Sequence, residues 1–132
     1  MKSKALIFGL LAIIFLGACD NNPYGKGMKI YNKHCAVCHA DDGNGLQGLI
    51  PPIRQSDYLH IHQNDLACII RHGLDSVITV NGVVYDLQKM PANDILDDIA
   101  ITNLINFINN AWGNKEEFVT VEKIKADLSR CQ

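Results

Sequence analysis

Apolar residues recur three or four positions apart along most of the chain after residue 26, which places them on one face of a helix. The longest such stretch ends before Gly113 and contains Ile95, Ile99, Leu104, Ile105, Ile108 and Trp112. Asn93 or Asp94 is expected to cap the start of this helix. Shorter helices are predicted at residues 27–39, after Ser56, at 63–71 and at 121–129. The pattern therefore predicts a mainly helical domain.

Residues 77–85 depart from this helical pattern. β-Branched residues flank the pair Asn81-Gly82 on both sides, and this arrangement is the strongest short signal for a hairpin with a two-residue turn. We therefore expect a two-stranded ribbon here. Since an isolated hairpin is marginally stable in water, it should pack against the rest of the domain.

The first 18 residues have the pattern of an export signal. Two lysines precede an apolar run that ends in small residues, and the run is shorter than the ~20 residues that a membrane span needs. The sequence Leu16-Gly17-Ala18-Cys19 resembles the lipobox of bacterial lipoproteins, in which the signal is cut before the cysteine and that cysteine is acylated. The alternative is an ordinary cleaved signal in which Cys19 stands by coincidence.

These features predict three segments along the chain. Residues 1–18 form a lipoprotein signal peptide, residues 19–26 form a polar tether that contains Pro and Gly, and residues 27–132 form one domain. We expect the protein to be exported and held on the bacterial periplasmic side of a membrane by acylated Cys19, since two or three acyl chains anchor stably. A formal net charge of −2 gives no indication of nucleic-acid binding.

The strongest chemical motif is Cys35-Ala36-Val37-Cys38-His39. Two thiols followed at once by an imidazole form the pattern for covalent attachment of c-type haem. On a helix the three side chains would leave one face within a single turn. The thiols of Cys35 and Cys38 could then add to the two vinyl groups of one porphyrin, while His39 ligates the iron. The motif predicts one covalently attached haem c.

A zinc knuckle and a redox dithiol are the two alternative interpretations of this motif. Structural zinc needs four ligands, usually as two separated pairs, and no second Cys/His pair with that spacing follows. A thioredoxin-like dithiol should follow a strand, whereas the residues before Cys35 are predicted to be helical. Haem attachment therefore fits this motif best.

The chain has five cysteines, of which two remain after the haem and the lipid are assigned. These two are Cys68 and Cys131. Export would place them in an oxidising compartment, where a disulfide bond can persist. Two separate free thiols are the alternative.

Several widely spaced features together resemble a class I, mono-haem cytochrome c, and they cover almost all of the chain after residue 26. They are Gly27, Tyr31, the haem-attachment motif, the region of Pro51, Met90-Pro91, and the last long helix with Leu104, Ile105, Phe107 and Ile108. The resemblance implies an all-α fold with helices packed around one haem, to which this chain adds the short hairpin.

The resemblance also implies a close crossing of the first and last helices. In that family a glycine of the first helix lets the last helix approach, beside an aromatic residue from each helix. By position the crossing places Gly27 and Tyr31 against Leu104 and Phe107. A Cβ atom at the crossing would push the helix axes apart.

The family's ligand pattern implies the roles of several residues here. Its sixth iron ligand is a methionine from the loop before the last helix, which is Met90, and its fifth ligand is His39. A backbone carbonyl of the proline loop accepts the Nδ1 proton of that histidine, with Pro51 as the candidate and Pro52 as the alternative. The alternatives to Met90 are an open distal site or a competing side chain, namely Met28, His34, His60, His62 or His72.

The resemblance implies single-electron transfer between respiratory redox partners by a haem with His/Met ligation, in an electron-transfer protein rather than an enzyme. The alternative is a haem-based ligand sensor or a peroxidatic enzyme with an open or labile distal site. The sequence favours the first, because Met90-Pro91 stands where the ligand loop belongs and no acid/base constellation lies near it.

A looser resemblance links the chain to the cytochrome c domains fused to, or partnered with, bacterial copper nitrite reductases and related periplasmic oxidoreductases. It rests on Pro51-Pro52-Ile53, residues 56–59, the Val80-Asn81-Gly82 turn, Met90-Pro91 and residues 111–114. It implies a lipoprotein that exchanges electrons with a larger enzyme. The candidate redox partners are a nitrite reductase, a terminal oxidase or a dehydrogenase.

Overall fold

The computed structural model describes residues 22–131 of the chain. Over this range it has six helices and one two-stranded antiparallel sheet. In chain order the elements are α1 (Gly25–His34), α2 (Ala36–His39), α3 (Asp57–Ile61), α4 (Leu66–His72), β1 (Ile78–Val80), β2 (Val83–Tyr85), α5 (Asp98–Asn110) and α6 (Val121–Leu128). Between residues 22 and 131, every helix is too short or too polar to cross a membrane.

The core of the domain forms where α1 crosses α5. Gly27 is buried there, and a Cβ atom on it would lie 2.6 Å from the Cβ of Phe107 and would also meet the backbone of Asn103. Tyr31, one turn later, is fully buried, and its ring centroid lies 5.5 Å from that of Phe107. The predicted close crossing is confirmed, with Asn103 rather than Leu104 supplying the nearest backbone.

The first helix begins two residues earlier than predicted. Gly25 and Lys26, which end the predicted tether, are helical. Residues 19–21 of the predicted tether, the predicted signal peptide and Cys19 lie outside the described residues.

The start of α5 also differs from the prediction. Its N-cap is Asp97, whose carboxylate accepts a hydrogen bond from the N–H three residues later at 2.7 Å. Asn93 cannot serve as the cap because it belongs to the preceding loop, where its N–H donates to the carbonyl of Ile70 at 3.1 Å. The predictions of Asn93 or Asp94 as the cap are therefore wrong. Ile95 lies before the helix and is 75% exposed.

The end of α5 places an aromatic residue outside the helix. The helix ends at Asn110, and Trp112 follows with a φ of +52°. Its ring centroid lies 4.8 Å from that of Tyr31 and 5.3 Å from that of Phe107. Trp112 therefore closes an aromatic cluster over the crossing of α1 and α5 rather than extending the helical face.

The predicted hairpin is confirmed. Strands β1 and β2 pair antiparallel, and φ is +49° at Asn81 and +80° at Gly82, as a two-residue type I′ turn requires. The turn is fixed to the start of α3, because the backbone N–H of Asn81 donates to the carboxylate of Asp57 at 2.7 Å. In return, the N–H of Asp57 donates to the side-chain oxygen of Asn81 at 3.0 Å.

Two further helices lie close to their predicted positions. The hydroxyl of Ser56 caps α3 by accepting from the N–H of Leu59 at 3.1 Å. Helix α4 begins at Leu66 rather than at residue 63. It is joined to the segment after α6 by a disulfide bond between Cys68 and Cys131, whose Cα atoms lie 5.5 Å apart. The last helix is therefore held covalently against α4.

Candidate haem-binding site

One cavity brings together side chains from distant parts of the chain. Cys35, Cys38 and His39 line it together with Met90. Most of the remaining wall is apolar, and α3, α4 and the hairpin contribute Leu59, Ile69, Ile70, Ile78, Val80 and Tyr85 to it. The hairpin that departs from the helical pattern is thus part of the wall of this site.

The haem-attachment motif lies at a break between two helices. Cys35 separates α1 from α2 because its φ of −117° is far from the helical value. The prediction of a single helix over residues 27–39 is therefore wrong at Cys35. The N–H groups of Cys38 and His39 still donate to the carbonyl of Cys35, at 3.1 and 2.9 Å. One helical turn consequently carries all three side chains into the cavity.

The thiol of Cys35 lacks the lowered pKa of a reactive redox thiol. Burial, with a smaller contribution from the neighbouring Cys38 thiol, raises the pKa of Cys35 to about 11. Reactive dithiols of the thioredoxin type have a lowered thiol pKa instead, since the thiolate is the nucleophile. The environment of Cys35 therefore argues against the alternative of thiol–disulfide exchange.

The imidazole of His39 is oriented by a backbone carbonyl. Its Nδ1–H donates to the oxygen of Pro51 at 3.1 Å. Burial lowers the pKa of His39, so the neutral imidazole is favoured, although the hydrogen bond to Pro51 acts in the opposite direction. With the proton on Nδ1, the lone pair of Nε2 is free to bind a metal ion. Of the two candidate prolines, it is Pro51 that makes this contact.

A glycine in the loop after the haem-attachment motif helps to place this carbonyl. Gly45 has a φ of +66°, and a Cβ atom on it would lie 2.6 Å from the oxygen of Pro51. Its N–H donates to the carbonyl of His39 at 2.9 Å. Gly45 therefore allows the proline loop to approach the histidine closely, and its loop propensity is the one signal of this role in the sequence.

Met90 lines the cavity, whereas most of the other candidate sixth ligands do not. Met90 is half-buried and lines the cavity together with the motif. His34 also lines it, but this residue is adjacent to Cys35 in the chain. The other four competing side chains are not part of the lining, and they are Met28, His60, His62 and His72. Two of these are engaged elsewhere, His60 with Glu116 at 2.9 Å and His62 with Asp65 at 3.1 Å.

The donors around the cavity fit a covalently bound porphyrin. Two thiols and a neutral imidazole leave one helical turn, a thioether shares the cavity with them, and the wall is mainly apolar. The family model named Cytochrome c matches residues 24–112, which is more than half of the chain. The chain belongs to the cytochrome c family. Proteins of this family bind covalently attached haem c, and the helical domain with its small hairpin has the class I fold.

Individual relatives agree with this assignment. The chain is 29% identical over 138 residues to cytochrome c-552 of Thermus thermophilus, covering 95% of this chain and 85% of that protein. It is 31% identical over 101 residues to the cytochrome c subunit of a quinone alcohol dehydrogenase from Gluconacetobacter polyoxogenes, covering 74% of this chain. It is 30% identical over 105 residues to a cbb3-type cytochrome c oxidase subunit from Azospirillum sp., covering 74% of this chain.

The shared region is only part of the two larger relatives. The chain spans 21% of the alcohol dehydrogenase subunit and 32% of the oxidase subunit. These relatives support electron transfer by a c-type cytochrome.

Proposed function

We propose that this protein is a membrane-anchored mono-haem cytochrome c that passes single electrons between respiratory redox partners, with His39 and Met90 as the axial ligands. The observation that carries the proposal is the shared cavity. Met90, from the loop before α5, lines the same apolar space as Cys35, Cys38 and the oriented imidazole of His39.

Each residue has a distinct task in this proposal. Cys35 and Cys38 hold the porphyrin as thioethers, and the hydrogen bond to Pro51 fixes the plane of the His39 ring and makes it a stronger donor. When bound, the haem supplies one-electron chemistry at its iron. The thioether of Met90 favours the ferrous state more than a second imidazole would, and so raises the reduction potential.

The apolar wall of the cavity should also raise the reduction potential. Its apolar side chains, among them Ile69, Ile70 and Val80, disfavour the additional positive charge of ferric iron. With His39 and Met90 both bound to the iron, no coordination position would be left for a substrate. These properties suit an electron carrier rather than the alternative of a ligand sensor or a peroxidatic enzyme.

The partners and the location are inferred from the relatives and from the sequence. Because the relatives include subunits of a quinone alcohol dehydrogenase and of a cbb3-type oxidase, we infer a dehydrogenase or a terminal oxidase as the redox partner. A copper nitrite reductase remains a candidate through the looser sequence resemblance. We propose that residues 1–18 are removed and that acylated Cys19 holds the domain at the periplasmic side of a membrane.

The ligand assignment is tested by absorption spectra of the oxidised and reduced holoprotein, with and without carbon monoxide. We expect the oxidised wild type to show the weak far-red band of methionine bound to ferric iron. The reduced wild type should not bind carbon monoxide. Met90→Ala should lose the band and bind carbon monoxide. Met28→Leu is the matched control, because Met28 does not line the cavity, and it should behave as the wild type.

Two results would overturn this assignment. Ready binding of carbon monoxide by the wild type would show an open distal site and favour the sensor or enzyme alternative. Unchanged spectra in Met90→Ala would show that another side chain, such as His34, fills the sixth position.

A further inference from the structure

The backbone of Met90 is paired with the segment that follows α4. The N–H of Leu74 donates to the carbonyl of Met90 at 3.0 Å, and the N–H of Met90 donates to the carbonyl of Leu74 at 3.0 Å. The two residues form an isolated antiparallel bridge. Three residues further on, the N–H of Asn93 donates to the carbonyl of Ile70 at 3.1 Å. Three backbone hydrogen bonds therefore hold residues 90–93 on the end of α4.

Gly73 makes this close pairing possible. Its φ is +79°, a conformation that glycine adopts without steric cost. A Cβ atom at this position would meet the carbonyl oxygen of Met90, and it would lie 2.9 Å from the nitrogen of Ala92 and 3.0 Å from the carbonyl carbon of Pro91. All three are backbone atoms, so they could yield only if the loop that carries Met90 moved.

The segment that holds the loop is itself fixed. Helix α4 is joined by the disulfide bond at Cys68 to the segment after α6, and its Ile69 and Ile70 line the cavity. Next to the bridge, Lys89 from one segment forms an ion pair with Asp75 from the other at 2.5 Å. Both side chains are largely exposed, so this pair adds little compared with the backbone contacts.

We propose that residues 70–74, which we call the α4 clamp, position Met90 for iron ligation, and that Gly73 is the residue on which the clamp depends. This inference rests on the proposed function, in which Met90 is the sixth ligand. The physical reason is the flexibility of methionine, whose three rotatable bonds leave the sulfur poorly placed unless the backbone is fixed. Loosening the clamp therefore opens the distal position without removing the sulfur.

The test compares two glycines that both have a positive φ. Gly48 has a φ of +75° and open space where a Cβ would stand, so Gly48→Ala carries the strain of a positive φ without the collisions of Gly73→Ala. Both variants should retain covalent haem. We expect Gly73→Ala to lose most of the far-red band, to bind carbon monoxide about tenfold more tightly than Gly48→Ala, and to have a lowered reduction potential.

The possible outcomes separate the clamp from the ligand assignment. If the wild type has the far-red band and Gly73→Ala keeps it at the level of Gly48→Ala, the proposed role of the α4 clamp is wrong. The assignment of Met90 as a ligand is then unaffected. If the wild type lacks the band and Met90→Ala changes nothing, the ligand assignment fails and the clamp fails with it.

If Gly73→Ala does not fold, hydrogen exchange of the reduced wild-type holoprotein tests whether the α4 clamp holds the backbone of Met90. The amides of Leu74 and Met90 should open together and exchange about a hundredfold more slowly than the amide of exposed Leu87. Exchange of the Met90 amide at the rate of the Leu87 amide would overturn the proposal.

Discussion

Replacing Gly27 by alanine tests the packing on which the fold depends. Helix propensity alone would make Gly27→Ala stabilising by about 1 kcal/mol. In the folded protein the substitution should be destabilising instead, because the new Cβ would lie 2.6 Å from the Cβ of Phe107 and would also meet the backbone of Asn103. Overpacking of this kind costs roughly 1–3 kcal/mol, and rigid backbone neighbours place the cost at the upper end. We expect a net destabilisation of about 2 kcal/mol.

The measurement is guanidinium and thermal unfolding of the oxidised holoprotein, followed by circular dichroism. A loss of about 2 kcal/mol should lower the melting temperature by roughly 10 °C in a domain of this size. Gly25→Ala is the matched control, because Gly25 lies in the same helix with no atom within 4 Å of the added Cβ. This control should be neutral or slightly stabilising. Equal stability of the two variants would refute the argument from the helix crossing.

The remaining predictions concern the disulfide bond and a buried tyrosine. Replacing Cys68 and Cys131 by serine should lower the free energy of unfolding by about 4 kcal/mol, because the bond closes a loop between residues 63 positions apart. Non-reducing peptide mapping that finds both thiols alkylatable would contradict this. The second prediction concerns pH. Burial raises the pKa of Tyr31 above 10.0, the pKa of free tyrosine. The contribution of Tyr31 to stability is therefore fully present below pH 10.0 and is lost as the pH rises above that value. At neutral pH the wild type should exceed Tyr31→Phe in free energy of unfolding by about 1 kcal/mol, because of the hydrogen bond from Tyr31 to the carbonyl of Ala40. This difference should shrink in unfolding experiments at alkaline pH. A difference that stays constant with pH would be inconsistent with a raised pKa.

Local signals predicted several features of this protein correctly. The Asn81-Gly82 pair predicted the hairpin because a type I′ turn needs positive φ at two successive residues, and few other pairs supply it. Ser56 predicted the start of α3 because its hydroxyl satisfies an N–H of the first turn. In both cases the determining contacts lie within three residues of each other along the chain.

Other features depended on choices between similar local signals. The sequence pattern favoured Asn93 or Asp94 as the cap of the last long helix, whereas the structure uses Asp97 and binds Asn93 to the end of α4. The exposed Ile95 matched the helical spacing by coincidence. Periodicity could not distinguish these possibilities, because the deciding contact joins residues that are far apart in sequence.

The sequence by itself determined the chemistry that the site offers. Cys35, Cys38 and His39 lie within one helical turn, so their spacing alone brings two thiols and an imidazole to a single face. Only the tertiary structure decided how the rest of the site is assembled. The bond from His39 to Pro51 and the pairing of Leu74 with Met90 join segments with no local preference for each other, and they form because the glycines beside them leave room for backbone to approach backbone.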